Sequence, residues 1–303
     1  MLQRTFELRW NPMDSTAFAP APSTLYAVAT PIGNLRDITL RALDVLRGVD
    51  RIAAEDTRVS AGLLRHYGIA TRLLSLHEHN ERAQAARIVD LLREGLSVAL
   101  ISDAGTPAVS DPGAELVAAV RRAGYAVLPI PGASALTAAL SVTGWPAIPF
   151  TFVGFLPAKG ASRRAALDAL RESHASLIFY EAPHRIVAAL ADFAERLGGE
   201  RRITIGRELT KRFETVHECT LADAIRWLAA DADRQRGEFV LIVEGAPVLA
   251  DDQIDGDDVR VLDLLLRELP ASRAARLAAE ITGKPRRAFY ERTIGAAATE
   301  DEG

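Results

Sequence analysis

The stretch from Val98 to Gly113, VALISDAGTPAVSDPG, constrains this chain more than any other. It opens on four apolar residues, Val98-Ala99-Leu100-Ile101, preceded by Gly95. A run that is apolar on both alternating faces suits a strand buried on two sides, as in a parallel sheet with helices above and below. The run stops at Ser102-Asp103, and Ala104, Gly105, Thr106 and Pro107 follow. Gly105 accepts a positive φ and lets another molecule approach the backbone. Pro107 fixes its own φ and removes a donor. Asp111-Pro112-Gly113 then reads as a helix start, with Asp111 as N-cap and Pro112 at the first helical position. Ligands of open α/β sheets sit beyond the carboxyl ends of strands, so this loop is the first candidate wall of a site. Taken alone, it reads as a βα turn that needs Gly and Pro.

The same unit recurs along the chain. Strands are predicted at Leu25–Ala29, Arg51–Ala54, Leu73–Leu76 and Ala126–Ile130. Helical patterns lie between them. One spans Ile38–Arg47 with Asp37 as cap, one starts at Asp56, and one carries Ala85, Ile88, Val89 and Leu92 on a single face. Strand–loop–helix repetition specifies a parallel α/β domain. Trp145-Pro146-Ala147-Ile148-Pro149 reads as a boundary, since its prolines fit no helix interior. The second half has closely spaced strands near 151–153, 176–179, 202–205, 215–216 and 239–243, with fewer crossover helices, which points to a mixed sheet. Thr220 and Asp223 resemble a capping box with Asp in place of Glu. After Gly245 five aspartates between Asp251 and Asp258 form a solvated linker or a helix lead-in. A last helical pattern is capped by Ser272, buries Ala274, Leu277, Ala278 and Ile281, and ends at Gly283 before Lys284-Pro285. The chain thus divides into an N-terminal extension (1–23), an α/β domain (24–146), a second α/β domain (147–247), an acidic linker (248–258) and a helical RNA-binding or packing element (259–303).

Composition removes several classes. At 303 residues, 49% of them hydrophobic, the chain can bury two cores. Cys219 is the single cysteine, so no internal disulfide forms and a reducing cytoplasm is expected. No run approaches the ~18 apolar residues of a membrane span. The formal charge of -4 gives no global attraction to nucleic acid, so RNA contacts must come from local basic patches. Neither GxGxxG nor GxxxxGK[ST] occurs, and no GxSxG elbow marks a serine hydrolase. His77 and His79 lack the partners of a zinc site, and no metal is expected. Met13 is an alternative start to Met1.

The remaining loops carry the chemistry. Glu55-Asp56-Thr57-Arg58 puts two carboxylates and an arginine at a strand end, either as cap and ion pair or as functional groups. Tyr180-Glu181-Ala182-Pro183-His184-Arg185 follows an apolar strand, and Arg207 to Arg212 is strongly charged for a turn. In order, TPIGNLRDIT, AEDTR, HEHNE, SDAGTPAVSDPG, PGASA, FVGFLP, FYEAPHRI, RELTKRFE and GEFVLIVEG resemble, throughout residues 25–245, the tetrapyrrole methylase superfamily of S-adenosylmethionine-dependent enzymes. AEDTR, HEHNE, FYEAPHRI and RELTKRFE together point to its ribosomal branch.

The resemblance implies two α/β domains with the cofactor, S-adenosylmethionine, folded in the cleft between them, and a homodimer. It implies 2′-O-methylation of a cytidine in 16S rRNA, with the small ribosomal subunit as partner. Carried onto this chain, the cofactor wall includes Pro31, Gly33, Asp103, Ala104, Gly105, Thr106, Pro107, Ser134 and Ala135. From the second domain it takes Val153, Gly154, Tyr180, Leu209 and Ala246. Phe152 and Phe179 are expected to pack on adenine. Candidates for deprotonating the hydroxyl or holding charge are Glu55, Asp56, Arg58, Glu181, His184 and Lys211. A small-molecule, tetrapyrrole-type methyltransferase and a non-enzymatic RNA-binding protein are the rival expectations.

Overall fold

A computed structural model describes residues 19–77, 79–247, 254–290 and 292. The predicted extension up to residue 18, Glu78 of HEHNE, linker residues 248–253 and the tail beyond 292 lie outside the described residues. Contacts divide the chain into one unit ending at Gly245 and another starting at Ala246.

The first unit contains two five-stranded sheets. The first has the order β3-β2-β4-β1-β5 and is parallel throughout. Its strands are β1 (Thr24–Val28), β2 (Arg51–Ala54), β3 (Leu73–Ser75), β4 (Val98–Ile101) and β5 (Ala126–Ile130). β4 sits centrally, and all four of its residues are buried, as a continuously apolar run requires. One face packs on α1 (Leu40–Gly48) and α2 (Thr57–His66), the other on α3 (Glu81–Arg93) and α4 (Ala114–Arg122). The helix after β1 therefore covers one face and the helix after β4 the other. The chain thus leaves neighbouring strands β1 and β4 toward opposite faces, which places the loops after them at the carboxyl edge where ligands of open α/β sheets bind.

Two predicted caps move. Asp37 lies in a short 3₁₀ turn, and Thr39 accepts from the Ala42 N–H to start α1. Asp111 does not cap α4. Glu81, at the start of α3, reaches across and its Oε1 accepts from Gly113 N–H at 2.9 Å and Leu116 N–H at 3.1 Å. A buried carboxylate that satisfies two orphan donors at a helix N-terminus makes a local cap unnecessary. Asp111 is thereby free to face elsewhere. Asp56 caps α2 as expected, accepting from Arg58 N–H.

The second sheet has the order β6-β7-β10-β8-β9 and is mixed, as the strand spacing predicted. β6 (Phe150–Phe155) runs parallel to β7 (Ser176–Glu181). β10 (Phe239–Val243) is antiparallel to both β7 and β8 (Arg202–Arg207), and β9 (Thr215–Thr220) is antiparallel to β8. One face is covered by α6 (Gly160–Asp168), α7 (Ile186–Leu197) and α8 (Leu221–Ala229) around Phe179, Phe193 and Leu241. The opposite face packs on α5 (Ala135–Leu140), with Trp145, Ile178, Leu209, Val240 and Ile242 in one cluster. So α5 lies before Trp145 in sequence yet packs on the second sheet. The apolar residues of this short helix have no other sheet face to cover.

The second unit contains α9 (Gly256–Leu266), α10 (Ala271–Thr282) and a turn of helix at 286–290, packed around Leu262, Ala274, Ala275, Ala278 and Phe289. Asp255 and Asp258 form a reciprocal capping box, so this part of the acidic stretch is a helix lead-in. Ser272 does not cap α10, whose N-cap is Pro270, and Ile281 is 62% exposed while Ala275 is buried. The buried stripe is thus shifted from the predicted one. Gly283 ends the helix in the left-handed conformation, φ 75°.

Candidate active site

The loops at the carboxyl edge of the first sheet meet one edge of the second sheet in a cleft of about 380 Å³. That second edge consists of the ends of β7 and β8 and the start of β10. Antiparallel pairing brings them together: Phe239 is registered with both Glu181 and Arg207.

The first wall is organised by Gly105. Its N–H donates to Thr30 O at 3.1 Å, and its C=O accepts from Thr30 N–H at 2.9 Å, a two-residue antiparallel bridge between the loops after β4 and β1. Gly105 has φ 81°, a conformation that L side chains rarely adopt. Ala108 and Ser110 also have positive φ, 63° and 65°. Residues held in such conformations mark a loop that its surroundings over-determine. Thr106 donates its hydroxyl to Ala133 O at 3.4 Å, which ties this loop to the one before α5.

Three carboxylates lie on this wall. Asp103 Oδ1 accepts from Asp56 N–H at 3.0 Å, and the Asp103 N–H in turn donates to the Glu55 carboxylate. Burial pushes the Glu55 carboxyl above the usual range, and the neighbouring charges of Asp111 and Asp103 add to it. Burial likewise raises Asp111, against a hydrogen bond from the Ser102 hydroxyl. Among the described residues, no lysine, arginine or histidine forms an ion pair with any of these three.

The second wall is aromatic and then charged. Phe152 and Phe155 both pack edge-on to Tyr180, with ring centroids at 5.1 and 5.7 Å. Residues three apart on a regular strand face opposite sides. Here the register between β6 and β7 slips between Phe152 and Gly154, so Val153 is the extra residue and both rings reach the same side. Gly154 has φ 73°, and a Cβ on it would lie 3.0 Å from the Ser110 Oγ of the first wall. Phe179 does not face the cleft. It is 1% exposed and packs at a tilt against Phe193 in the core, because β7 alternates and presents Tyr180 instead. The expectation that Phe179 packs on adenine is therefore corrected. Burial raises the Tyr180 phenol, partly offset by a hydrogen bond with the Leu136 backbone.

Lys211 does not offer a free cation. Its Nζ donates to Glu208 Oε1 at 2.9 Å and to Glu238 Oε2 at 2.7 Å. Burial opposes its charge, but the two carboxylates outweigh it and hold the ammonium above its ordinary pKa. Its stem lies on Gly33, where a Cβ would sit 2.4 Å from Lys211 Cγ. The loop below is held by Arg207, whose buried guanidinium donates to the carbonyls of Arg236 (2.6 Å), Asp233 (2.6 Å) and Phe213 (3.2 Å). Glu208 and Thr210 have positive φ, 50° and 68°, and the Thr210 hydroxyl accepts from Asn34 N–H across to the first wall.

Of the predicted wall, Asp103, Ala104, Gly105, Thr106, Ser134, Ala135, Tyr180 and Leu209 line the cleft. Gly33 and Gly154 stand behind it, touching Lys211 and Ser110. Pro31, Pro107 and Val153 do not line it, and Ala246 belongs to the second unit. Of the predicted chemical groups, Glu55, Glu181 and Lys211 line it. Asp56 is bound by the Arg58 side chain at 2.6 Å, which lowers its carboxyl to about 2, and Arg58 is 89% exposed. His184 is exposed and outside the lining. Glu181 is almost fully enclosed, 3.1 Å from Arg185 Nε, and burial raises its carboxyl despite a bond from Ala182 N–H. Asp111, Phe155, Glu208 and Glu238 line the cleft without having been singled out. The charge of RELTKRFE and GEFV signalled the two glutamates; Glu208 is three residues from Lys211, but nothing local aimed Glu238 at it.

A model of the family described as Tetrapyrrole (Corrin/Porphyrin) Methylases matches residues 24–225, which spans the first sheet and the second up to α8, short of β10. The chain belongs to the tetrapyrrole methylase family. In this methylase a second model, the RsmI C-terminal HTH domain, matches residues 252–296. Among curated relatives, the ribosomal RNA small subunit methyltransferase I of Pseudomonas aeruginosa is 52% identical over 273 residues, covering 89% of this chain and 96% of the relative. That of Xylella fastidiosa is 53% identical over 269 residues, covering 89% and 98%. The solved uroporphyrin-III-C-methyltransferase of Thermus thermophilus shares the fold, with a TM-score of 0.52 at 23% identity, over 73% of this methylase and 94% of that chain.

Proposed function

We propose that this methylase transfers a methyl group from S-adenosylmethionine to the 2′-hydroxyl of a cytidine in the 16S rRNA of the small ribosomal subunit. The observation that carries the ribosomal substrate is the match, at about half identity and over nearly the whole of both chains, to relatives named for ribosomal RNA small subunit methylation. The solved neighbours carry the fold alone.

The cleft fits the cofactor on its chemistry. The negative charge at Asp103 and Asp111 suits a ligand bearing a sulfonium and an amino group. Gly105 exposes backbone without bulk, and Phe152, Phe155 and Tyr180 offer flat apolar surface to a purine. We assign Ala104 to Thr106, Ser134, Ala135, Tyr180 and Leu209 to holding it, with Gly33 and Gly154 giving the neighbouring groups their approach. When bound, the cofactor supplies an electrophilic methyl on a sulfonium, with a neutral sulfide as leaving group. The protein's task is to align the ribose hydroxyl in line with it, exclude water and take the hydroxyl proton.

Among the described residues no helix is long and apolar enough to cross a membrane. We further assign a homodimer and a cytoplasmic site of action, where the substrate subunits are. Exposed apolar residues such as Leu128 on edge strand β5, Ile148 and Phe150 support the pairing of two copies. The deciding experiment incubates the purified enzyme and labelled S-adenosylmethionine with small subunits from a strain lacking the gene. The modified ribose is then mapped. Label on a cytidine 2′-oxygen is expected. Label on added tetrapyrroles alone, or none, would refute the reading.

A further inference from the structure

We propose that the Glu55 carboxylate is the group that accepts the ribose hydroxyl proton during methyl transfer. The assignment rests on the ribose-methylation reading above. In the step, the hydroxyl oxygen forms a bond to the methyl carbon, the carbon–sulfur bond breaks with its electron pair left on sulfur, and the proton passes to a Glu55 oxygen.

Geometry selects Glu55 from the groups around the cleft. Asp56 is spent twice, as the cap of α2 and as the partner of Arg58. Glu181 has a side chain only 1% exposed and is paired with Arg185. Lys211 is bridged by two carboxylates and stays protonated, so it accepts nothing. His184 lies outside the lining. Asp103 already uses Oδ1 on Asp56 N–H, and Asp103 and Asp111 are the carboxylates assigned above to the positive groups of the cofactor. Glu55 lines the cleft, is held by one backbone N–H from Asp103, and has no cationic partner among the described residues. That single bond positions the carboxyl and leaves acceptor capacity for a substrate hydroxyl.

Its surroundings also suit the task. Asp111, Asp103 and Asp56 face Glu55 from its own wall, with Arg58 beyond them on Asp56. Glu181, Glu208, Glu238 and the neutralised Lys211 line the cleft's other wall. Burial and the neighbouring carboxylates favour the protonated form, which makes this carboxyl a stronger base than an exposed one. Activity therefore falls as pH drops through the raised Glu55 pKa, since the protonated acid cannot accept.

The test compares wild type, E55Q, E55D and D111N. Glutamine keeps an oxygen for the Asp103 N–H, so E55Q should bind S-adenosylmethionine and RNA within twofold of wild type. It should lose turnover by roughly a hundredfold and lose the acidic limb of the pH profile. E55D should keep that limb and turn over at least tenfold faster than E55Q. D111N should keep the limb and move it to lower pH, because one like charge is gone. A substrate-free readout is infrared titration: a protonated-carboxyl band that disappears with rising pH in wild type should be missing in E55Q. The proposal is overturned if E55Q stays within threefold of wild-type turnover, if its acidic limb persists, or if its cofactor affinity falls in step with turnover. Equal losses in E55D and E55Q, or a limb abolished by D111N, would also overturn it. Wild-type enzyme inactive on small subunits would instead sink the ribosomal reading on which it rests.

Discussion

Gly237 offers a clean perturbation of the charged wall. It lies just before β10 with φ 91°, and a Cβ there would sit 2.3 Å from Glu208 Cγ, 2.6 Å from its Cδ and 2.7 Å from Oε1. Glu208 is held by Lys211 Nζ at 2.9 Å and by Glu238 N–H at 2.9 Å. Gly68, after α2, provides the control: φ is 64°, and nothing lies within 4 Å of an added Cβ. Left-handed backbone costs an L residue about 1–2 kcal/mol. G68A should therefore lose about that much and no more. G237A must also expel the Glu208 carboxylate. Hydrogen bonds to charged groups contribute about 1.5–3 kcal/mol each, and the freed carboxylate recovers part of this in water. Taking about 2–3 kcal/mol as the net loss of both bonds after that recovery, and about 1–2 kcal/mol for the backbone, a total loss of about 3–5 kcal/mol follows for G237A. Removing Glu208 removes the obstacle, so in an E208A background the added cost of G237A should shrink to about that of G68A. Denaturant midpoints of the four variants and wild type, each read on the transition that carries the sheet the substituted residue packs on, give these differences. Methyl transfer should fall in G237A although Gly237 does not line the cleft. Equal destabilisation by G237A and G68A would refute the steric argument. So would an undiminished G237A cost in the E208A background.

Further outcomes are expected. G105V should weaken S-adenosylmethionine binding in calorimetry with a chelator present, because a branched residue at φ 81° distorts the Thr30 bridge; normal affinity would remove this loop from the cofactor wall. Burial pushes the Cys219 thiol up to about 11, so alkylation by iodoacetamide should stay slow at pH 8 and accelerate steeply above pH 10. By linkage, the thiol's contribution to stability is present below the unfolded pKa and is lost as pH rises through the folded value; rapid alkylation at pH 8 would contradict both statements. Replacing Lys284, Arg286 and Arg287 by Ala in the C-terminal unit should weaken RNA binding. It should also flatten the log–log salt dependence by roughly one unit per lost phosphate contact, with cofactor affinity unchanged. Superimposable salt plots would assign these residues to packing.

Local pattern determined much of this protein. The four-residue run Val98–Ile101 is a doubly covered strand because no polar residue interrupts either of its faces. Asp56 caps α2, Gly283 ends α10, and Asp103 to Thr106 line the cleft, because caps, left-handed turns and strand exits are written in adjacent residues. The family's motifs were legible for the same reason: each is a contiguous loop. Tertiary structure decided what those loops do to one another. The carboxylate that caps α4 comes from Glu81, 32 residues before Gly113, so Asp111 turns to the cleft. A one-residue slip in β6 gathers Phe152 and Phe155 on Tyr180, and the alternation of β7 leaves Phe179 in the core. Glu238, 27 residues from Lys211, neutralises a cation that the sequence offers as free. Each of these depends on strand order and register, which bring distant segments within hydrogen-bonding distance. A short-range pattern fixes where a strand ends and which residues follow it. It carries no information about which other strand end stands opposite, and the charge state and reach of every group in the cleft are set there.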